Sequence, residues 1–186
     1  MQDVSELIME VQRITDINDM VNRVPLLLIN TESFLNKFLR LEEMETKHTF
    51  ITDEDGAADL PDGLIEIRMV FEGEKELQKV SPREISVRQT GWAIRAGEFV
   101  SSRVDKELTM YYYKELPSLN EHSDNFLLTN EPEVYTMALA FKALADDGQF
   151  DRAEQYGSYA RGLVDALNDQ DEMKRLSRSF VRVDAR

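Results

Sequence analysis

Hydrophobic positions along the chain change period twice, and the changes mark its organisation. Val4, Leu7, Val11 and Ile14 recur at helical intervals behind Asp3 and Glu6, which stand at capping-box spacing. After a break over 16–22, Pro25 suits the first turn of a second helix, predicted to run to about Glu43. Leu27, Phe34, Leu35, Phe38, Leu39 and Leu41 make that helix apolar on more than one side, the pattern of a helix buried between layers.

From Thr46 the period shortens. Strands are predicted over 46–52, 64–71, 76–80, 92–95, 98–101 and 106–114, with Ile65, Ile67 and Met69 alternating against Glu66, Arg68 and Val70. Asp53, Glu54, Asp55 and Gly56 read as a hairpin turn. Ser81 and Glu84 bracket the start of a short helix ending near Gln89. Residues 117–124 form a loop, and the helical period then returns. One helix is expected over 131–146, with Val134, Met137, Ala138, Phe141 and Leu144 on one stripe and Gly148 closing it. The last is expected over 150–175, with Phe150, Ala153, Tyr156, Ala160, Leu163, Val164 and Leu167 on its stripe. Gly157 and Gly162 inside it each cost about 1 kcal/mol against Ala, which suggests close approach to another helix.

This order predicts an α+β protein. Both chain ends, 1–45 and 124–178, would form an antiparallel helical bundle, with a β-rich insert over 46–123. Residues 179–186 are β-branched and aromatic enough to read as an extended C-terminal tail, either disordered or paired with an exposed strand elsewhere.

Charge adds an asymmetry. The chain carries −14, yet Lys174, Arg175, Arg178, Arg182 and Arg186 face only Asp184 over the last fourteen residues, leaving −18 on the rest. A basic tail on an acidic body either stays solvated or docks on an acidic surface. Such a body is a poor ligand for free nucleic acid, because phosphate binding needs clustered Lys and Arg. No apolar run approaches the ~18 residues of a membrane helix, and the first ten residues lack the basic and small-residue pattern of a signal peptide. The expectation is a protein of the cytosol with no membrane partner. The absence of cysteine removes disulfides and thiolate chemistry together.

Patterns for catalysis are missing. There is no GxGxxG, no GxxxxGK[ST] and no GxSxG; the Gly157-Ser158 pair falls inside a predicted helix and reads as packing. His48 and His122 lie in different segments without metal-ligand spacing. The acids at 53–55 lack the glutamate that a calcium loop needs six residues after its glycine. Tyr111, Tyr112 and Tyr113 could stack on bases, but without flanking cations packing is the better reading. No catalytic residue, metal ligand or cofactor is expected.

Several phrases, in order, carry a resemblance. They are ESFLNKFLR at 32–40, EEMET at 42–46, DLPDGLIEIR at 59–68, VSPRE at 80–84, LTMYYYKELPSL at 108–119, NFLLT at 125–129 and PEVY at 132–135. Together they resemble the head–tail adaptor, or connector, proteins of tailed bacteriophages. Tyr156 stands where that family often has Trp, a departure that touches packing only.

The resemblance implies a structural protein and not an enzyme. It implies a homo-oligomeric ring, usually of twelve copies, under the portal of the DNA-filled head and above a tail or nozzle protein. Genomic DNA would pass through the ring without specific binding, and the protein would reside in the virion neck after assembly in the host cytoplasm. It also implies that the C-terminal segment docks on the portal, which assigns that role to Arg175, Arg178, Phe180, Val181, Arg182, Val183 and Arg186. A tail-completion ring subunit below the neck and an acidic regulatory binding module are the alternatives. A carboxylate enzyme with a bound metal is a more distant one.

Overall fold

The computed structural model describes residues 3–85 and 91–180. The chain is a mixture of helix and sheet and divides into two compact units, one of residues 1–42 and 116–186, the other of residues 43–115.

The first unit is helical. α1 (Val4–Thr15) starts where the Asp3 side chain accepts the Glu6 N–H, and α2 (Val24–Phe38) has proline in its first turn. α3 (Phe126–Asn130) is a five-residue helix that periodicity does not announce; Asn125 caps it by accepting the Leu128 N–H at 3.0 Å. α4 (Pro132–Asp146) is central: α1, α2, α3 and α5 (Phe150–Phe180) all pack on it. That position explains its burial on several sides, with Val134, Tyr135, Ala138, Leu139, Ala143 and Leu144 inside.

α5 returns along α4 after a short turn, burying Ala153, Ala160 and Val164. The two glycines of α5 differ. A Cβ on Gly157 would lie 3.1 Å from the Phe141 ring, so this glycine does permit close packing; one on Gly162 would meet nothing within 4 Å, so the expectation fails there. Phe150, placed on the buried stripe by its spacing, is 70 % exposed, because it stands at the first position of the helix.

The second unit contains two antiparallel sheets. β1 (Glu45–Ile51), β7 (Glu107–Lys114), β3 (Leu64–Glu72) and β4 (Lys75–Leu77) form one in that order; β2 (Ala57–Ala58), β6 (Glu98–Ser101) and β5 (Trp92–Arg95) form the other. Their shared core holds Val70, Leu77, Trp92, Phe99, Leu108, Met110 and Tyr112. Trp92 stacks on Phe99 and donates its indole N–H to the Leu77 carbonyl at 3.1 Å, so its one polar atom is satisfied inside.

β3 departs from simple alternation. Irregularities between Leu64 and Glu66 and between Ile67 and Met69 each place an extra residue against β7. Every bulge inverts the face on which later residues fall. Leu64, Ile67 and Val70 therefore pack into one core, and Val70, expected on the polar face, is fully buried.

Candidate docking site

The basic end of α5 is where sequence places the docking segment. α5 continues to Phe180 beyond its expected end near Arg175, so Ser179 and Phe180 continue the helix and do not begin an extended tail. Val181, Arg182, Val183 and Arg186 lie outside the described residues.

The base of this segment is held to the helical unit by side chains of α5. Asn168 donates from Nδ2 to the Phe38 carbonyl at 2.8 Å and accepts the Arg40 N–H on Oδ1 at 2.9 Å. Its two-faced amide thus serves both a carbonyl and an N–H where the chain leaves α2. One turn further on, Asp171 accepts the Glu42 N–H at 3.2 Å and the Arg175 Nε–H at 2.5 Å. Asp171 is buried and Arg175 half-buried. Arg175, expected among the docking residues, therefore neutralises a buried carboxylate of its own helix. Arg161 lies over the Phe38 ring at 3.6 Å from its centroid, adding a cation–π contact to the same junction. Sequence reasoning missed Asn168 and Asp171 because their partners stand about 130 residues away.

The sheet unit carries a second candidate surface, an open groove of about 1210 Å³. His48, Phe50, Asp53, Arg83, Arg95 and Glu98 are among its lining. Its charges are mixed. The His48 ring stacks on Phe50 at 5.7 Å. Asp53 is occupied structurally: its Oδ1 accepts the N–H groups of Asp55 and Ala57 at 2.9 and 2.7 Å. Gly56 completes that turn with φ +75°, and a Cβ there would lie 2.2 Å from the Ser101 carbonyl oxygen. The 53–56 segment is thus a turn carrying the chain from one sheet to the other. No group of His, Asp or Glu able to hold a metal occurs among the described residues.

The remaining sequence candidates are distributed between packing and surface. Tyr112 enters the sheet core, while Tyr111 meets Phe71 edge-on at 5.8 Å. Arg68 lies over the Tyr113 ring at 5.6 Å and pairs with Glu45. His122 is exposed, as is Ser158 beside Gly157. Burial lowers the Lys142 ammonium pKa; its Nζ lies 4.6 Å from the Phe141 ring centroid. No described helix is long and apolar enough to cross a membrane.

Compared with known proteins, the chain matches the model of the SU10 adaptor protein family over residues 2–183, a span that includes both units. No curated protein matches it.

Proposed function

The chain belongs to the SU10 adaptor protein family of phage head–tail adaptors, and from that premise we propose that it is a ring-forming subunit of the neck. The ring would sit under the portal, extend the DNA channel and present a platform to the tail. The observation that carries this reading is the family match across nearly the whole chain, since a match confined to one unit would leave the other free for a different role.

The fold supports a division of labour. A docking segment works best from a fixed base, because ordering a loose chain costs about 1–2 kcal/mol per residue. Asn168 and Asp171 provide that base by tying α5 to the end of α2. Beyond them, Arg178 and Phe180 at the end of α5 and Val181, Arg182, Val183 and Arg186 after it would meet the portal, the arginines giving register and backbone pairing of the last residues giving affinity. The excess of acid elsewhere suits a channel wall that repels phosphate and lets the duplex slide.

Negative-stain microscopy of the full chain and of a truncation ending at residue 178, each mixed with the portal protein of the same phage, tests this. The full chain is expected to form a ring on the portal. The truncated chain is expected to stay folded and fail to bind. Equal binding by the two would remove the docking segment from the account, and a full chain that never forms a ring would overturn the reading.

A further inference from the structure

Two outward faces of the helical unit have properties that no contact among the described residues explains. On α2, Leu26, Ile29, Asn30, Ser33 and Lys37 recur three and four residues apart and are all exposed, Leu26 by 59 % and Ile29 by 54 %. This face has no acid and one cation, on a chain of net charge −14. On α5, Ser158, Gly162 and Ala166 are exposed at four-residue spacing, with Asp165 and Asp169 on the same side of the helix. The position a Gly162 side chain would take is open space.

We propose that these faces are the two halves of a subunit–subunit contact, α2 of one copy lying along α5 of the next. The inference rests on the ring reading above and specifies which surfaces close the ring. A cyclic ring of more than two copies needs two different, complementary patches on each subunit. The α2 face supplies apolar side chains and Lys37. The α5 face supplies a shallow furrow, since Ser, Gly and Ala leave room for the side chains of a facing helix, and two carboxylates to receive the ammonium.

Charge also selects this pairing over the symmetric ones. α5 against α5 would bring Asp165 and Asp169 together with their own copies, and α2 against α2 would oppose Lys37 with Lys37. Arg161, also exposed on this side of α5, is laid over the Phe38 ring of its own chain, which leaves Lys37 against Asp165 and Asp169 as the opposite-charge pairing between the two faces. This pairing also gives a reason for glycine at position 162, where a large side chain would hold the facing helix away.

The chain contains no cysteine, so introduced thiols report without background. The full-length double variant Ile29→Cys with Gly162→Cys is treated with a short bismaleimide, alone and on the portal, and run under denaturing conditions. A ladder of covalent dimers, trimers and higher multimers is expected, with each single variant remaining monomeric. In parallel, Ile29→Glu is expected to abolish rings in the microscope while leaving circular dichroism and thermal unfolding unchanged. If rings form but the double variant gives no ladder and Ile29→Glu still assembles, the proposed contact is wrong and the adaptor reading stands. If the unmodified protein forms no ring even with portal, both fall.

Discussion

The backbone N–H of Leu119 donates to Glu32 Oε1 at 2.6 Å, joining the loop that leaves the sheet unit to the middle of α2. Ser118 Oγ donates to the other carboxylate oxygen at 2.8 Å, and Glu32 is only 6 % exposed. A buried carboxylate is tolerated when donors satisfy it, and hydrogen bonds to a charged group contribute about 1.5–3 kcal/mol each. Glu32→Ala is therefore expected to lower unfolding free energy by about 2–4 kcal/mol, since it strands buried donors. Glu32→Gln should fall between the two, because its amide retains one acceptor. Urea denaturation measures this, and an Ala variant within about 0.5 kcal/mol of the parent, the range of an ordinary surface substitution, would show the loop to be held by other contacts.

The two glycines of α5 should respond differently to the same substitution. Gly162→Ala adds a methyl into open space and removes a residue of poor helix propensity, so the isolated subunit should gain about 0.5–1 kcal/mol. Gly157→Ala offers the same propensity gain but sets a carbon 3.1 Å from the Phe141 ring, which forfeits it. The ordering of thermal midpoints, Gly162→Ala above Gly157→Ala by about 1–4 °C on the usual scaling for this size, checks the argument.

How far the sequence carried the fold depends on the range of the forces involved. The first helix follows its capping pair, and β7 follows its alternation, because both signals are local. The end of α2 was not legible. Leu39 and Leu41 continue the apolar pattern and are buried, yet Leu39 turns extended at ψ 139° and Asn168 takes the backbone groups on either side of it. A tertiary partner outcompeted the helix there. At 81–85 the local pair does form, with the Ser81 N–H donating to Glu84 Oε2 at 3.1 Å, but Pro82, Arg83, Glu84 and Ile85 make turns and no helix; the remainder of that expected helix lies outside the described residues. In β3 the pattern misassigned Val70, because bulges are set by pairing with β7 and not by composition. The docking segment is proposed from the charge of the tail and from the family resemblance, both of which are read locally. Their anchor, Asn168 and Asp171, has no signature in a single sequence because it consists of contacts to a remote segment.

That anchor gives a prediction of its own. Asn168→Ala removes the acceptor of the Arg40 N–H and the donor to the Phe38 carbonyl together. A loss of about 1–3 kcal/mol is expected, as for partly buried backbone groups left without partners. The local effect should exceed the global one. Amide hydrogen exchange at Arg40 is expected to accelerate at least tenfold relative to amides in the middle of α4, and exchange that rises equally everywhere would indicate general destabilisation instead.

The last prediction concerns alkaline pH. Tyr135 is fully buried on α4, and burial raises its phenol well above the ordinary value, with the Glu32 carboxylate acting in the same direction. Asn125 Nδ2 donates to its oxygen at 2.8 Å and opposes that shift without cancelling it. In the unfolded chain the phenol ionises near pH 10. Above that pH the unfolded state has lost a proton that the folded state keeps, so the unfolded state is favoured progressively. The stabilisation is complete below about pH 10 and declines as pH rises beyond it. Tyr135→Phe removes this linkage but leaves Asn125 one partner short, although its amide still reaches the Pro117 carbonyl at 2.9 Å. The variant is therefore expected to be about 1 kcal/mol less stable at pH 7 and to lose less stability than the parent between pH 9.5 and 11. Urea midpoints across that interval decide the matter: parallel curves would mean that Tyr135 ionises as easily in the fold as out of it.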